Sequence, residues 1–483
     1  MELNFKNVYE EVSYAGQPLI STGWVCTEKM KGGKLVCKAR LVARGFEEDS
    51  SSLKIESPTC SKDSFRIMLT VVCSMKWKIH SIDIKSAFLQ GMPLSRSVFL
   101  KPPKEAETES VWKLKQAVYG LNDASRHWYE RVFEELVNSG MTVSKLDAAV
   151  FYFHQGTELH GIFLCHVDDF LLAGTSYFNE KVVQKIHSVF IVGVEEVSIM
   201  DYLGLNLQQV ESSIRLSMSK YINSIDDIVL CPSRRTLKED NLLPGEYETF
   251  RHAVGQLNWC VTQVRVDAAF ENCSLANACA SPTIRDLLFA QKTVKKIKGE
   301  ELHLLFSGLS DLYSLTLLCY SDASFGNLPS GASQGAYLIF VSDLHGNANL
   351  ISWQSRKLKR VCNSTLSAEC LAAVDAVNAA FLFREMILEI VRKSKVRIRL
   401  ITDNKSLMEN ASSITLLEDK RLRIEMAILR ESLQNHDIEK IVWIASRDNL
   451  ANSLTKQGAS TRYLVDVIMN DLKFDYDKNL FTY

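Results

Sequence analysis

The sequence is poor in the residues that mark several classes of protein. Only 9 of its 483 residues are proline and 22 are glycine, which argues against a fibre or a long disordered tail. Its 12 cysteines include no C-x-x-C pair and no Cys/His run at zinc spacing, so we expect reduced thiols rather than a zinc module. The formal net charge of −1 argues against coating of a polyanion by bulk positive charge.

Long apolar runs are also missing. None approaches the ~20 residues that span a bilayer, and the longest candidate, near residues 161–174, has two aspartates at its centre. The N-terminus shows no basic-then-apolar signal segment. We therefore expect no membrane partner and an intracellular location, in the cytoplasm, in particles or in the nucleus.

The length and the apolar pattern predict several structural units. A prior of roughly 100 to 200 residues per domain predicts about three for 483 residues. Before residue 310, short strands alternate with amphipathic helices, and a hairpin with a glycine turn is predicted at Gly32 and Gly33. After residue 310, the pattern predicts the order β-β-β-α-β-α-β-α. These patterns indicate an α+β front part and an α/β tail.

Three aspartates in the front part lie next to apolar strands. Asp83 follows one strand, and Asp168 and Asp169 lie within an apolar hairpin 85 residues later. Alone, the second pair could be an ordinary surface turn. Because burying unpartnered carboxylates costs several kcal/mol, two such sites indicate a divalent cation as partner. Carboxylates holding two Mg²⁺ ions are suited to nucleotidyl transfer to a 3′-hydroxyl.

Three acids in the tail follow the same logic. Asp322 and Asp403 end predicted strands, while Glu369 lies about one turn into a long helix whose N-cap is Ser364 or Thr365. Glu369 shares its helix face with alanines, a face that packs closely on a sheet, so it is not an ordinary solvated acid. The pattern predicts a second metal-binding constellation.

Four motifs resemble, in order and spacing, the successive motifs of Ty1/copia-type reverse transcriptases. They are V-C-K-A-R-L-V-A-R-G-F (Val36 to Phe46), D-I-K-S-A-F-L-Q-G (Asp83 to Gly91), Y-G-L-N-D-A-S-R-H-W-Y (Tyr119 to Tyr129) and H-V-D-D-F-L-L-A-G (His166 to Gly174). The similarity runs from about Trp24 to about Gln457. Over this range the chain resembles the reverse transcriptase and ribonuclease H region of a Pol polyprotein.

The resemblance implies roles for the residues of the front part. Asp83 and Asp168 would hold the metal ions, and Asp169 would complete the acidic cluster. The other implied positions contact the incoming nucleotide or the template: Phe88 as the gate against a ribose 2′-hydroxyl, Lys38 and Arg40 on the triphosphate, and Gly120 and Arg126 in the nucleotide and template pocket. From the residues alone, Phe88 could instead be plain core, and Lys38 and Arg40 a solvated hairpin.

The tail resembles the ribonuclease H domain of the same family. Asp322, Glu369 and Asp403 would hold two Mg²⁺ ions that activate water to cut the RNA strand of an RNA–DNA hybrid. The family usually has aspartate where this chain has Asn452 in D-N-L-A-N-S-L-T-K. Because an amide oxygen coordinates without charge, we expect reduced ribonuclease H activity that Mn²⁺ partly rescues.

The front part also departs from the family pattern. His166 replaces an aromatic residue before V-D-D, and Asn122, Asp123 and Ser125 stand where the family usually has lysine, glutamine and proline. Asp123 would add negative charge near phosphates. These changes leave the metal carboxylates in place but bear on turnover.

Taken together, the sequence predicts three segments. Fingers and palm occupy residues 1–230, a thumb or connection 231–310, and an α/β RNase H-like domain 311–483. The expected function is RNA-directed DNA polymerase with ribonuclease H activity, using two Mg²⁺ per site, with Mn²⁺ as a substitute. Its expected partners are an RNA template, a DNA primer, RNA–DNA hybrid and dNTPs. The alternative is a catalytically decayed or host-retained nucleic-acid-binding remnant.

Overall fold

The computed structural model describes residues 8–31 and 34–482, and the glycine turn predicted at Gly32 and Gly33 lies outside them. Two compact units are present. Unit 1 comprises residues 1–61, 80–155 and 160–196 as far as they are described, and unit 2 comprises 62–79, 156–159 and 197–483 within the same limit. The segment boundaries predicted at 230 and 310 stay predictions.

The described strands are, in chain order, β1 (Tyr9–Val12), β2 (Thr22–Lys31), β3 (Lys34–Ala43), β4 (Ile79–Ile84), β5 (Phe99–Leu100), β6 (Val111–Leu114), β7 (Thr142–Val143), β8 (Val150–Gln155), β9 (Glu158–His166), β10 (Asp169–Gly174), β11 (Val192–Val197), β12 (Ile199–Tyr202), β13 (Leu205–Val210), β14 (Ser213–Ser217), β15 (His303–Phe306), β16 (Ser314–Ser324), β17 (Gln334–Ser342), β18 (Ala348–Lys357), β19 (Lys395–Thr402), β20 (Lys440–Trp443), β21 (Lys473–Asp475) and β22 (Leu480–Thr482).

The described α-helices are α1 (Lys62–Ser74), α2 (Ala124–Asn138), α3 (Ser176–Phe178), α4 (Gln184–Val189), α5 (Ser219–Asn223), α6 (Pro244–Gln263), α7 (Ala269–Ala278), α8 (Ile284–Gly299), α9 (Thr365–Ile390), α10 (Lys405–Ala411), α11 (Lys420–Gln434) and α12 (Arg462–Met469). A π-helical segment, Asn179–Val183, joins α3 to α4.

Unit 1 is built on a sheet with strand order β11-β4-β10-β9-β8-β7. Strands β9 and β10 form a hairpin in which Asp169 pairs with His166. Their apolar residues, including Phe163 and Phe170, are fully buried against Trp128 of α2. The hairpin β2–β3 and the sheet β1-β6-β5 complete the unit. The buried hairpin therefore ends with its two aspartates at one edge of the core.

Unit 2 contains a five-stranded sheet with order β18-β17-β16-β19-β20. The central strand β16 pairs antiparallel with β17 and parallel with β19, and all its residues after Ser314 are buried. Helix α9 packs on β16, β17 and β19. The rings of Tyr320 and Phe340 contact Phe481 of the terminal hairpin β21–β22. The predicted tail order is present, with an additional helix between β19 and β20 and this terminal hairpin.

Helix α9 is the one helix of the described residues whose length and apolarity would suffice to cross a membrane. The sequence analysis did not identify it as such a candidate. Its packing on the sheet accounts for its composition, because alanines and branched residues such as Ala373 and Val377 are fully buried there.

A buried arginine ties three elements of unit 2 together. Arg66 on α1 is 1% exposed, and its guanidinium donates to the carbonyls of Thr262 (2.5 Å) and Gln263 (3.1 Å) at the end of α6. It also donates to Ile351 O on β18 (3.3 Å) and lies 3.7 Å from the Trp353 ring centre. Because a cation is favoured at a helix C-terminus, this arrangement stabilises α1, α6 and β18 as one body.

Candidate active sites

The three acids of unit 1 lie on adjacent strand ends. Asp83 is the second-last residue of β4, Asp168 is in the turn after β9, and Asp169 begins β10, which neighbours β4. The Ile84 amide donates to Asp168 O at 3.0 Å, which holds the two strand ends together. Burial, and then the charges of Asp168 and Asp83, raise the pKa of Asp169 to about 6. Such mutual repulsion is relieved by a cation.

The hairpin turn is held in a strained conformation. Val167 has φ 57°, a left-handed backbone that branched residues avoid. Its carbonyl accepts a hydrogen bond from Trp128 Nε1 at 2.6 Å, which anchors the turn to α2. His166 occupies the position before V-D-D at which the resembled family has an aromatic residue. Half-burial lowers the pKa of His166, and the charge of Asp168 opposes this shift. The backbone of Val167 and its hydrogen bond from Trp128 thus fix the turn that carries Asp168 and Asp169.

Gly193 on β11 was not identified by the sequence analysis. A Cβ at this position would lie 2.2 Å from Asp83 Oδ2, closer than any real Cβ contact. Any larger residue on β11 would therefore have to displace the Asp83 carboxylate. No strand was predicted around Gly193, and a single glycine in a sequence does not say which side chain requires the space.

A cavity of about 250 Å³ lies in unit 1, and the residues that line it do not include the three acids. Lys38 and Arg40 of β3 line it together with Ser86 and Tyr119. The Arg40 guanidinium lies 5.9 Å from the Tyr119 ring centre. Burial and the charge of Asp168 raise the pKa of Tyr119, while Arg40 opposes them. Tyr119, which was not singled out from the sequence, thus lies between the cavity and the charges of Asp168 and Asp83.

Phe88 lies between the two apolar clusters of unit 1. It is half-buried in the 3-10 turn Ala87–Gln90, and its ring centre is 5.0 Å from that of Tyr119. Phe88 therefore belongs partly to the core, which was the alternative interpretation of this residue from the sequence. It also contacts Tyr119, which lines the cavity. Its role as a ribose gate stays a prediction.

Gly120 and Arg126 are not among the residues that line the cavity. Gly120 has φ +89°, and a Cβ there would lie 2.0 Å from the carbonyl oxygen of Ala43 at the end of β3. Its neighbour's carbonyl, Tyr119 O, accepts from Ala43 N at 2.7 Å. Arg126 pairs with Glu130 one turn along α2 at 2.7 Å. Gly120 thus docks the hairpin, and the predicted nucleotide and template contacts of both residues stay predictions.

Asp123, which would add charge near phosphates, is paired within unit 1. It is 4% exposed, and Arg96 donates to both its oxygens at 3.0 Å. Burial alone would raise the pKa of Asp123, but hydrogen bonds from His127 and Arg96 hold this pKa well below its usual range. Arg96 also pairs with Glu48. The negative charge of Asp123 is therefore compensated locally.

The other departures in this motif have local roles. Asn122 Nδ2 donates to Gly45 O at 2.8 Å, so the amide links the segment before α2 to the end of the β2–β3 hairpin. Ser125 is half-buried in the first turn of α2, which begins at Ala124 without a proline. Both changes fit the backbone that the structure has.

The three acids of unit 2 meet at one point. Asp322 near the end of β16, Glu369 in α9 and Asp403 directly after β19 each place a carboxylate oxygen within 4.8 Å of the others. Asp322 and Glu369 are only 1% and 4% exposed. Burial, and repulsion within the cluster, raise the pKa of both. Glu369 Oε2 has no hydrogen-bond partner among the described residues.

This donor set fits a divalent cation. Oxygen ligands from carboxylates are those that Mg²⁺ and Mn²⁺ prefer, and an orphaned buried carboxylate oxygen is costly without a partner. The cluster depends on a close approach of α9 to the sheet, where Ala368 and Ala372 pack against Ala323. Ser364 caps the helix by accepting from Ser367 N at 3.1 Å, as predicted.

Asn452, the departure in unit 2, is bonded to its own segment. Its Oδ1 accepts from Lys456 Nζ at 2.7 Å, and its Nδ2 donates to Ser446 O at 3.3 Å. The neutral amide is thus engaged locally, in the place where the family usually has a fourth carboxylate. Its effect on metal binding stays a prediction.

The chain is similar to several known proteins. Residues 6–232 match the family described as reverse transcriptase (RNA-dependent DNA polymerase). The retrovirus-related Pol polyprotein from transposon RE1 of Arabidopsis thaliana is 24% identical over 471 residues, covering 92% of this chain and 31% of that protein. The corresponding polyprotein from transposon TNT 1-94 of Nicotiana tabacum is 25% identical, covering 91% and 35%. This chain therefore spans about a third of these relatives.

Solved structures show the fold. The foamy viral protease-reverse transcriptase in complex with RNA/DNA hybrid is 12% identical, with a TM-score of 0.53 over 95% of this chain and 54% of that one. The same viral protein in complex with double-stranded DNA is 13% identical, with a TM-score of 0.52 over 87% and 66%. These likenesses show a reverse transcriptase fold.

Proposed function

We propose that this chain copies RNA into DNA and carries a second site for ribonuclease H cleavage. It matches the reverse transcriptase family over residues 6–232 and resembles the Ty1/copia-type retrotransposon Pol polyproteins over most of its length. One observation carries the polymerase part. Asp83, Asp168 and Asp169 converge on adjacent strand ends, and the charges of Asp168 and Asp83 act on Tyr119, which lines a cavity together with Lys38 and Arg40.

The residues of unit 1 have complementary tasks in this proposal. Asp83 and Asp168 would hold two Mg²⁺, which when bound supply activation of the primer 3′-hydroxyl and stabilisation of the leaving pyrophosphate. Lys38 and Arg40 would bind the triphosphate, since cations offset phosphate charge. Phe88 and Tyr119 would border the sugar of the incoming nucleotide. Asp169 would add negative charge that strengthens metal binding.

The residues of unit 2 support the second activity. A five-stranded sheet with α9 across it brings Asp322, Glu369 and Asp403 together, as the resemblance to ribonuclease H implies. These acids would hold the Mg²⁺ ions that supply an activated water for cutting RNA. RNA–DNA hybrid is the proposed substrate, and the likeness to a viral enzyme solved with such a hybrid supports it.

Primer extension on poly(rA)·oligo(dT) with Mg²⁺ tests the polymerase. We expect extension by the wild-type chain and none by an Asp168→Ala, Asp169→Ala double variant, because the metal ligands are lost. A matched control is Asp201→Ala, an exposed acid that pairs with Lys220 at 2.6 Å on the surface of unit 2. No extension by well-folded wild type would favour the alternative, a decayed or host-retained nucleic-acid-binding remnant.

A further inference from the structure

We propose that Asn449 and Thr455 are positioning residues that set the metal affinity of the cluster Asp322, Glu369 and Asp403. The inference rests on the proposed ribonuclease H function and deepens it. Both residues belong to the segment 449–455, here called the bracing segment, which contains the 3-10 helix Leu450–Leu454. Neither was a candidate in the sequence analysis.

Asn449 orients Asp403. Its side chain is 4% exposed, and Nδ2 donates to Asp403 Oδ1 at 3.2 Å and to Ser321 O on β16 at 2.9 Å. Its Oδ1 accepts from Ala451 N at 3.1 Å, which fixes the amide at the start of the 3-10 helix. Because an amide donates without carrying charge, it orients the carboxylate and leaves its charge for a cation.

Thr455 orients Asp322. It is fully buried, and its hydroxyl donates to Asp322 Oδ2. The backbone at this point is held independently of the acids. Asn327 Nδ2 donates to Thr455 O at 3.0 Å, and Ser355 Oγ donates to Leu454 O at 2.6 Å. Thr455 is therefore a fixed support rather than a side chain that follows the carboxylate.

The bracing segment thus donates hydrogen bonds to two of the three acids. The two acids carried by strands each receive a neutral donor from it, whereas Glu369 Oε2 on α9 has no partner among the described residues. This arrangement orients the carboxylates of Asp322 and Asp403 before a cation binds, and it leaves Glu369 Oε2 available to the cation. Groups that orient metal ligands in this way typically change metal affinity by about 10- to 100-fold when they are removed.

The test is a titration of the full chain with Mn²⁺, followed by the electron paramagnetic resonance signal of the free ion. The background carries Asp168→Asn and Asp169→Asn, so that the unit 1 cluster contributes little binding. The main variant is Thr455→Val, which keeps the shape of the side chain and removes the hydroxyl. Thr455→Ser restores the hydroxyl, and Ser453→Ala is the matched control, because Ser453 Oγ bonds to Leu450 O (3.0 Å) within its own turn.

We expect Thr455→Val and Asn449→Ala to bind Mn²⁺ about 10-fold more weakly. Thr455→Ser and Ser453→Ala should bind like the background, within about two-fold. A purely structural role would lower the melting temperature without this pattern of loss and rescue. Should Thr455→Val not fold, the comparison of Asn449→Ala with Ser453→Ala decides the question.

Two results would overturn the inference, and they can be told apart. If Asp322→Asn in the same background reduces Mn²⁺ binding but Thr455→Val and Asn449→Ala do not, the bracing role is wrong and the proposed metal site survives. If Asp322→Asn leaves Mn²⁺ binding unchanged, both the metal site of unit 2 and its bracing segment are refuted.

Discussion

The two acidic clusters of this chain hold their carboxylates in different ways. In unit 1, Asp83, Asp168 and Asp169 lie at strand ends and are half-buried. In unit 2, Asp322 and Glu369 are almost fully buried, and neutral donors contact Asp322 and Asp403. The first cluster is partly open to solvent, whereas the second is enclosed and its carboxylates are oriented by neutral donors.

The difference follows from what each site is proposed to bind. A nucleoside triphosphate brings several negative charges, so Lys38 and Arg40 of the cavity would offset charge that arrives with the substrate. A hybrid strand presents one phosphate at the point of cleavage, so more of the metal affinity must come from oriented protein ligands. Five substitutions, each with a control or a second readout, test this difference.

The largest expected effect is a reciprocal loss of the two activities. Asp322→Asn should lower hybrid cleavage by at least about 100-fold, because a buried metal ligand is lost, and leave primer extension within about two-fold. Asp168→Asn should do the reverse. Both activities are measured on the same preparations with labelled substrates. Loss of both activities from either substitution, in a folded protein, would show that the clusters are not independent.

A second prediction concerns the docking of the β2–β3 hairpin. Gly120→Ala places a Cβ 2.0 Å from Ala43 O in a backbone with φ +89°, so the hairpin carrying Lys38 and Arg40 must shift. We expect extension to fall about ten-fold or more, equivalent to about 1.4 kcal/mol or more, with cleavage unchanged.

Gly16→Ala is the matched control for this substitution. Gly16 also has φ +89°, but nothing lies within 4 Å of a Cβ there. It therefore carries the backbone strain without the clash. Equal extension by the two variants would mean that the close approach to Ala43 does not position the hairpin.

A smaller effect is expected at Asn452. Asn452→Asp restores the fourth carboxylate of the family pattern, so hybrid cleavage at low Mg²⁺ should rise several-fold, on the order of the 10-fold change typical of a group around a metal. The wild-type chain should gain more from Mn²⁺ than the variant does. Cleavage rates measured across a Mg²⁺ series test this, with Asn452→Ala as the neutral control. Unchanged activity in Asn452→Asp would argue against the prediction.

The smallest effect on activity is expected at Asp123. Its pKa is depressed in the folded chain, so its contribution to stability is present above the unfolded pKa of about 4 and is lost as pH falls below it. Asp123→Asn should destabilise unit 1 by about 2 kcal/mol at pH 7 and by less at pH 3, because the pairing with Arg96 is weakened.

Thermal unfolding at the two pH values measures this effect. Glu130→Gln is the control, because Glu130 makes a more exposed pair with Arg126 that is expected to contribute about 0.5 kcal/mol or less. A loss in Asp123→Asn that is the same at pH 3 and pH 7 would contradict the assigned pairing. Extension at neutral pH should change little, since the cavity residues are not altered.

Local pattern was enough to find the acids and the elements that carry them. Asp83 and Asp322 stand out because carboxylates next to buried strands need a partner, and Glu369 because it lies on an alanine face. The β9–β10 hairpin, α9 and the cap at Ser364 follow from residues that are neighbours in the chain. The candidate metal ligands can therefore be named from the sequence.

Other features could not be predicted because their partners are distant in the chain. Arg96 reaches Asp123 across 27 residues, and Thr455 reaches Asp322 across 133. Asp123 looked like an unfavourable charge until its partner was visible. Gly193 could not be predicted from the sequence, since nothing local indicates that its missing Cβ leaves room for the Asp83 carboxylate.

Periodicity, capping and the cost of burying a carboxylate act over a few residues, so the chain predicts candidate metal ligands and the strands and helices that carry them. The orientation of each acid and the compensation of each charge follow instead from the tertiary structure. These properties depend on donors brought together from distant segments, and their effect falls off within a few ångströms.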